Sequence, residues 1–410
     1  MNNATKADNW DTWAARLLML SFFMPLNVQG GLFMVAGLYF PVKTLVTHQA
    51  ISFRQVITAL LLSSAFFIYV VALWFTPARF HAVVANIIAN RASLFLMPVI
   101  LALTAHRYKQ VMIGQIAFFT YVLVGVCIVV DAWFLVGLLL HPHTAALSHV
   151  DYRIFFERAS GVHPTYVSLF LCFGIAALLV PTRSGCKLAA PYRNTLIVLM
   201  ILLLLPLLAK TVLLALVVIL VLHALLHRHA VGQQKYWIAV GIALVAIAGA
   251  TIPFVRQRLT ELWSGGTEQA DALNNSVEAR KMIWNIDTGL LHHCWLTGVG
   301  PGKMQHDINF RHFFSDLLYG LPFQVYDPHS EYMQQWLSFG IAGIVLFVAI
   351  LSAHLYTAIR SKNLLYVYLM LMLCLLFFTE SVLARQYGIL FYTFFTGLFM
   401  LTKPVSSTGE

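Results

Sequence analysis

The sequence predicts an all-α protein that crosses a membrane many times, and three observations carry that reading. Of 410 residues, 60% are hydrophobic and only 10% charged, where a soluble domain carries roughly a quarter charged. The apolar residues gather into long blocks, such as Val56–Phe75 and Val111–Leu140, and about 20 apolar residues suffice to cross a hydrocarbon core roughly 30 Å thick. Lysine and arginine are distributed unevenly between the segments that join those blocks.

Taken in order, spans are expected near 13–26, 28–46, 53–75, 80–103, 111–140, 164–180, 194–208, 211–227, 236–253, 330–356, 364–380 and 386–402. The Pro25-Leu26-Asn27 stretch separates the first two as either a turn or a kink. About 12 spans put both termini on one side. With the termini in the cytoplasm, the short outer loops hold only Arg79, Arg153, Arg158, Lys210 and Arg385, and most other basic residues fall inside. That asymmetry follows the positive-inside rule. The net charge of +10 is then a topology signal, and nucleic-acid binding is not expected. The chain reads as one transmembrane domain over 1–410, with membrane lipids as its solvent. The polar N-terminus carries no cleavable signal pattern, so the first span is expected to remain.

Two outer segments are long enough to hold chemistry. One is His141–His163. The other, 253–329, is a loop between the ninth and tenth spans with a helical pattern of its own. There Asn275 or Ser276 can cap, and Ala279, Ile283, Ile286 and Leu290 form an apolar stripe. Such a helix suits the membrane surface or the roof of a cavity.

Three chemistry-bearing residues fall on that outer face: Arg158 before the sixth span, Arg280 in the loop helix and His329 where the tenth span begins. Arginine's planar fork suits diphosphate oxygens. Asp327 as N-cap and Pro328 at the first helical position would set His329 in the first turn of a helix. The positive end of the helix dipole disfavours imidazolium there and favours a nearby phosphate. Trp284 lies four residues after Arg280, on the same helical face, and suits stacking on a sugar. Lys303 and Arg311 are further candidates for phosphate contacts, with plain solvation as the alternative.

Within the spans, Arg91 is a costly charge, and pairing with Asp131 at a similar depth, shaping a donor cavity, is the expected remedy. Glu380 and Arg385 are expected to pair across the last outer turn. Gly298-Val299-Gly300-Pro301-Gly302 lacks the Lys-Ser/Thr ending of a phosphate loop, so a turn permitting close backbone approach is expected. The pairs His141/His143, His227/His229 and His292/His293 have no carboxylate or thiolate set at ligand spacing, so no metal site is expected.

Three stretches carry a resemblance. They are Asn275–Trp284 followed by Leu296–Gly302, Asp327–Gly343 (DPHSEYMQQWLSFGIAG) and Thr379–Gly388 (TESVLARQYG). Their Ser-x-x-x-Arg helix, glycine-rich turn and Pro-His span start resemble, in order and spacing, the O-antigen ligase and polymerase superfamily of bacterial envelopes. Arg158 with Gly161 and Pro164 resembles an earlier arginine segment of that family. The first 140 residues match only as generic spans.

The resemblance implies a GT-C-like membrane glycosyltransferase of the bacterial inner membrane with a periplasmic active site. It implies inverting, metal-independent transfer without a cofactor. The donor would be an undecaprenyl-diphosphate-linked O-antigen and the acceptor lipid A–core. Carried over by position, Arg158 and Arg280 would grip the diphosphate, and His329 would serve the acceptor hydroxyl as base. Lys210 stands where many relatives have the arginine of a Ser-Arg pair; it keeps the charge and loses the fork. Ser330 follows His329 where asparagine is common. O-antigen polymerase and protein O-oligosaccharyltransferase are alternatives within the class, the latter expected to need a larger C-terminal domain. A transporter or flippase of the same lipid-linked glycan is the alternative outside it, and such folds often show repeated halves. None is read here. Sugar identity and oligomeric state are not encoded legibly.

Overall fold

The computed structural model describes residues 9–47, 53–140, 149–181, 186, 188–207, 209–227, 276–318 and 327–401. Among these residues all regular structure is helical. The ninth span, 236–253, and the first part of the 253–329 loop lie outside the described residues, as does the stretch 141–148.

The N-terminal half comprises α1 (Asn9–Ser21), α2 (Leu26–Val46), α3 (Phe53–Leu62), α4 (Ser64–Phe75), α5 (His81–Asn90), α6 (Ser93–Gly114) and α7 (Ile116–Leu140). Next come α8 (His149–Ser160), α9 (Pro164–Leu179), α10 (Ala190–Leu204) and α11 (Lys210–Leu226). The C-terminal part holds α12 (Ser276–Cys294), α13 (Pro301–Leu318), α14 (Glu331–Arg360), α15 (Leu364–Leu376) and α16 (Gln386–Met400). Among the described residues, Ala78–Thr104, Tyr108–Leu140 and Glu331–Arg360 are long and apolar enough to cross a membrane. The number rises to 5 if the bent pairs α3–α4 and α8–α9 each count as one span. Helices α10, α11 and α15 are apolar and shorter.

Pro25 marks a turn. Asp11 near the start of α1 meets Lys43 near the end of α2 at 2.5 Å, and Tyr39 donates to the same carboxylate at 3.0 Å. The two helices therefore run back along each other as a hairpin. The third expected span bends by 59° at Ser63.

Helix α9 is buried along its whole length, and α16 from Tyr387 to Phe399. Lipid tails are as apolar as leucine, so close packing must hold such a centre together. Phenylalanines do so here: Phe170 meets Phe391 at 5.0 Å between ring centroids, and Phe173 meets Phe395 at 4.4 Å. Phe22 of the α1–α2 turn stacks on Phe395 at 5.7 Å. The Tyr387 hydroxyl, 2.8 Å from the Met24 carbonyl and 2.7 Å from that of Gly161, gathers the α1–α2 turn, the α8–α9 break and the start of α16 at one end of the bundle.

Arg91 departs from expectation. The fourth span breaks at Asn90–Ala92, which turns Arg91 inward, 5% exposed. Its Nε donates to the Leu383 carbonyl at 3.0 Å, and its guanidinium lies 4.2 Å from the Tyr69 ring centroid. Asp131 is satisfied instead by the Tyr152 hydroxyl of α8 at 2.6 Å. The expected Arg91–Asp131 pair is not formed, because each group finds a nearer partner.

Candidate active site

The site begins where α14 begins. Ser330 is the N-cap, its hydroxyl accepting from the Met333 amide at 3.3 Å. Helix α14 therefore starts at Glu331, and His329 precedes it. This corrects the expectation that Asp327 caps the helix and that His329 occupies its first turn. Asp327 instead closes the turn before the helix: one carboxylate oxygen accepts from the His329 amide at 3.0 Å and from the Ser381 hydroxyl at 2.5 Å. His329 adopts a left-handed backbone with φ of 46°. For a residue with a Cβ this costs about 1–2 kcal/mol, and such strain persists only where the surroundings over-determine it.

The Phe377–Arg385 loop between α15 and α16 is stitched to this helix start. The Glu331 amide donates to the Phe377 carbonyl at 2.8 Å. The buried Glu331 carboxylate accepts from the Leu383 amide at 2.9 Å and from Gln335 at 2.7 Å, and Gln335 also reaches the Tyr69 hydroxyl at 2.9 Å. Thr379 meets Thr211, the second residue of α11, hydroxyl to hydroxyl at 2.6 Å. That contact brings the Lys210 end of α11 to the same loop.

Helix α12 supplies the third side. Of its expected apolar stripe, Ile283 and Leu290 are buried, joined by Leu291, against Met304 and Ile308 of α13 and Leu337 of α14, while Ile286 is only half-buried and lies outside that cluster. Arg280 donates from Nε to the Thr379 carbonyl at 3.2 Å and from Nη2 to Glu380 at 2.7 Å. Glu380's other oxygen lies 3.8 Å from His329 Nδ1. One turn further along α12, Trp284 Nε1 donates to the Pro328 carbonyl at 3.0 Å. Arg280 and His329 thus meet at Glu380, with Trp284 held on the residue before His329. The expected Glu380–Arg385 pair is replaced by Glu380–Arg280, because Arg385 turns to a cavity on the other side of the loop.

Burial alone would raise the Glu380 carboxyl. The adjoining His329 ring and the charges of Arg280 and His163 outweigh it and hold the group at about 2. His163, which caps α9, moves to about 4 through burial and the nearby Arg385 and Arg153.

Two residues of consequence carried no signal strong enough to be singled out from sequence. Glu380 was expected only to fix a turn. Asp287 lies on the buried stripe of α12 between Ile283 and Leu291; it is 0% exposed, and neither carboxylate oxygen has a hydrogen-bond partner among the described residues. Burial and the neighbouring Asp327 carboxylate push it up to about 7, while His329 acts to lower it. Its position at the seventh residue after Arg280 was the available clue.

The other candidates lie further out. Arg158 is exposed on α8, and no described contact joins it to Arg280 or His329. Lys303 pairs with Asp307 one turn along α13 at 3.2 Å. Arg311 of α13 lies beside Gly289 of α12.

Gly298 and Gly300 shape a backbone junction. Helix α14 is interrupted at Gly340, with φ of 64° and ψ of −153°. An interrupted helix leaves carbonyls unpaired, and here the amides of Val299 and Gly300 supply them. They donate to Leu337 at 2.8 Å and Ser338 at 3.1 Å, while the Ile341 amide returns a bond to Leu296 at 3.2 Å. The glycine-rich turn thereby fixes α12 and α13 to α14, as close backbone approach required.

Two cavities flank the loop. One, of about 360 Å³, is lined by Glu157, His163, Tyr166 and Arg385 among others. The second, of about 220 Å³, lies among α5, α13, the first turns of α14 and the Asp327-Pro328 segment. Asn90 and Ala384 line both.

No curated protein matches this chain. The segment containing Lys210, Arg280, Trp284, Lys303, Arg311 and His329 does match a family model: residues 195–348 are similar to the family described as O-antigen ligase, consistent with the O-antigen ligase and polymerase resemblance of the motifs.

Proposed function

We propose that this chain is an O-antigen ligase of the bacterial inner membrane, working at its periplasmic face. The donor is a glycan on undecaprenyl diphosphate and the acceptor is lipid A–core. The observation that carries this reading is the Arg280–Glu380–His329 cluster, built from three elements distant in sequence within and beside the segment that matches the O-antigen ligase family model.

In this mechanism the acceptor hydroxyl gives its proton to His329 as its oxygen attacks the anomeric carbon. The bond from that carbon to the diphosphate oxygen breaks, and undecaprenyl diphosphate leaves. Attack opposite the leaving group inverts the anomeric centre. Glu380, ionised through the whole neutral range, stabilises the imidazolium that forms 3.8 Å away. At an effective dielectric of about 20 this attraction is on the order of 4 kcal/mol, and solvent screening of these partly exposed groups reduces it. The role corresponds to the orienting carboxylate of a catalytic triad. Arg280 lies against the same carboxylate and offers its positive charge to the diphosphate as it departs. Arg158 and Lys210 serve the donor's phosphates from the periphery, and Trp284 a sugar face.

The test uses the purified chain with lipid-linked O-antigen and lipid A–core. Release of undecaprenyl diphosphate with a larger lipopolysaccharide supports ligation. Elongation of the lipid-linked donor without lipid A–core would make the chain a polymerase, and donor movement across vesicles without covalent product would make it a transporter.

A further inference from the structure

The 220 Å³ cavity beneath the Asp327-Pro328 segment is not used by the mechanism above, and its lining carries unspent hydrogen-bonding capacity. Arg91, 5% exposed, donates from Nε to Leu383 and lays its guanidinium 4.2 Å from the Tyr69 ring centroid; among the described residues no hydrogen bond engages its terminal nitrogens. Gln334, 6% exposed, presents a buried Oε1 that accepts no hydrogen bond from the described residues. A buried polar atom without a partner calls for an explanation, and this lining holds Gln334 Oε1 as one, together with the donors of Arg91.

Charge selects the occupant's chemistry. The Arg91 guanidinium is held in the field of buried Glu331, and Asp327 stands at the rim. One guanidinium against two carboxylates leaves no net positive charge, which disfavours a phosphate. Donors on Arg91 and Asn90 face acceptors on Gln334 and Asp327, and Val83, Ile87 and Pro328 supply apolar walls. Groups that both donate and accept, on a ring with an apolar face, describe a neutral sugar.

Resting on the transfer reading above, we infer that this cavity is a saccharide subsite that seats one neutral pyranose ring of a glycan substrate next to His329. Pro328, on its wall, is adjacent in sequence to His329, so a ring held there sits within one residue of the proposed base. Asn90 and Ala384 divide it from the larger cavity with His163 and Arg385, an arrangement that keeps two substrates apart until they meet at His329.

The experiment is thiol labelling of the full-length Val83→Cys protein in detergent, followed by mass spectrometry at the introduced thiol. The probes are O-antigen polysaccharide released from its lipid, core oligosaccharide released from lipid A, and inorganic pyrophosphate. One saccharide is expected to slow labelling at least threefold, and which one does so identifies donor or acceptor as the source. Pyrophosphate is expected to have no effect. Adding Gln334→Met or, independently, Asn90→Leu should abolish the protection. Labelling unaffected by both saccharides, protection by pyrophosphate instead, or protection that survives both second substitutions would overturn the subsite. Saccharide protection without glycan transfer would remove the ligase reading and keep the subsite; transfer without protection would do the reverse.

Discussion

Arg280 and Glu380 meet at 2.7 Å across 100 residues of sequence, and the carboxylate they share with His329 is the electrostatic centre of the candidate site. Its low ionisation range makes Glu380 a permanent anion under working conditions. The sign is that of a depressed carboxyl: its contribution is complete above the ordinary range near 4.5 and is lost only as pH falls toward about 2. Glu380→Gln should therefore lower kcat roughly 10- to 100-fold, up to the lower end of what general-base assistance supplies because the base itself remains, with little change in KM. The wild-type pH–rate profile should show no acid limb from Glu380 above about pH 4. A Glu380→Gln enzyme with wild-type kcat would remove the dyad.

His329 separates function from stability. Its φ of 46° is strained for any residue bearing a Cβ. Both His329→Ala and His329→Gly should lose transfer, since neither carries an imidazole. The glycine variant relieves the backbone strain, an advantage that its unfolded-chain entropy partly offsets. His329→Gly should thus be at least as stable as His329→Ala, by up to about 1 kcal/mol. Thermal unfolding of both variants in one detergent measures the difference, and a clearly less stable glycine variant would contradict the left-handed conformation.

Asp287 gives a pH dependence of opposite sense. Its carboxyl is raised to about 7 by burial and by Asp327, so the folded state holds the proton more tightly than the unfolded chain does. Folding stability from this group is full below about 4, declines as pH rises toward about 7, and stays low above. Asp287→Asn should remove a penalty of a few kcal/mol at pH 8 and change little at pH 4. Parallel stability curves for wild type and Asp287→Asn between pH 5 and 8 would show that the carboxylate is solvated in the folded protein.

Periodicity and composition made the helices legible, and the basic residues of the motifs made part of the site legible. Arg280 and His329 stand on one carboxylate with Trp284 nearby, whereas Arg158, expected beside them, makes no described contact with either. What sequence could not supply was pairing. Glu380 has Arg385 five residues away, yet it pairs with Arg280 because the α15–α16 loop is pinned to the start of α14 by backbone bonds. Arg91 and Asp131 are matched in depth and charge, yet each turns to a nearer neutral partner. Caps are also decided by tertiary context: Ser330 rather than Asp327 starts α14, since Asp327 is engaged by Ser381.

Two glycines of positive φ should respond very differently to substitution. Gly300 has φ of 86°, and a Cβ there would meet nothing within 4 Å; Gly340 has φ of 64°, and its Cβ would collide with the Leu296 backbone. Gly300→Ala therefore pays only the left-handed backbone term, about 1–2 kcal/mol. Gly340→Ala must in addition push the glycine-rich turn away from α14 and break the bonds from Val299 to Leu337 and from Gly300 to Ser338, each worth about 1 kcal/mol. That turn fixes α12 to α14, so the displacement should also carry Arg280 and Trp284 away from His329. Gly340→Ala is expected to lose transfer and at least twice as much stability as Gly300→Ala, with denaturation in detergent and transfer assays as the measurements. Equal effects of the two substitutions would mean that the turn does not dock on α14 and that something else holds Arg280 beside Glu380.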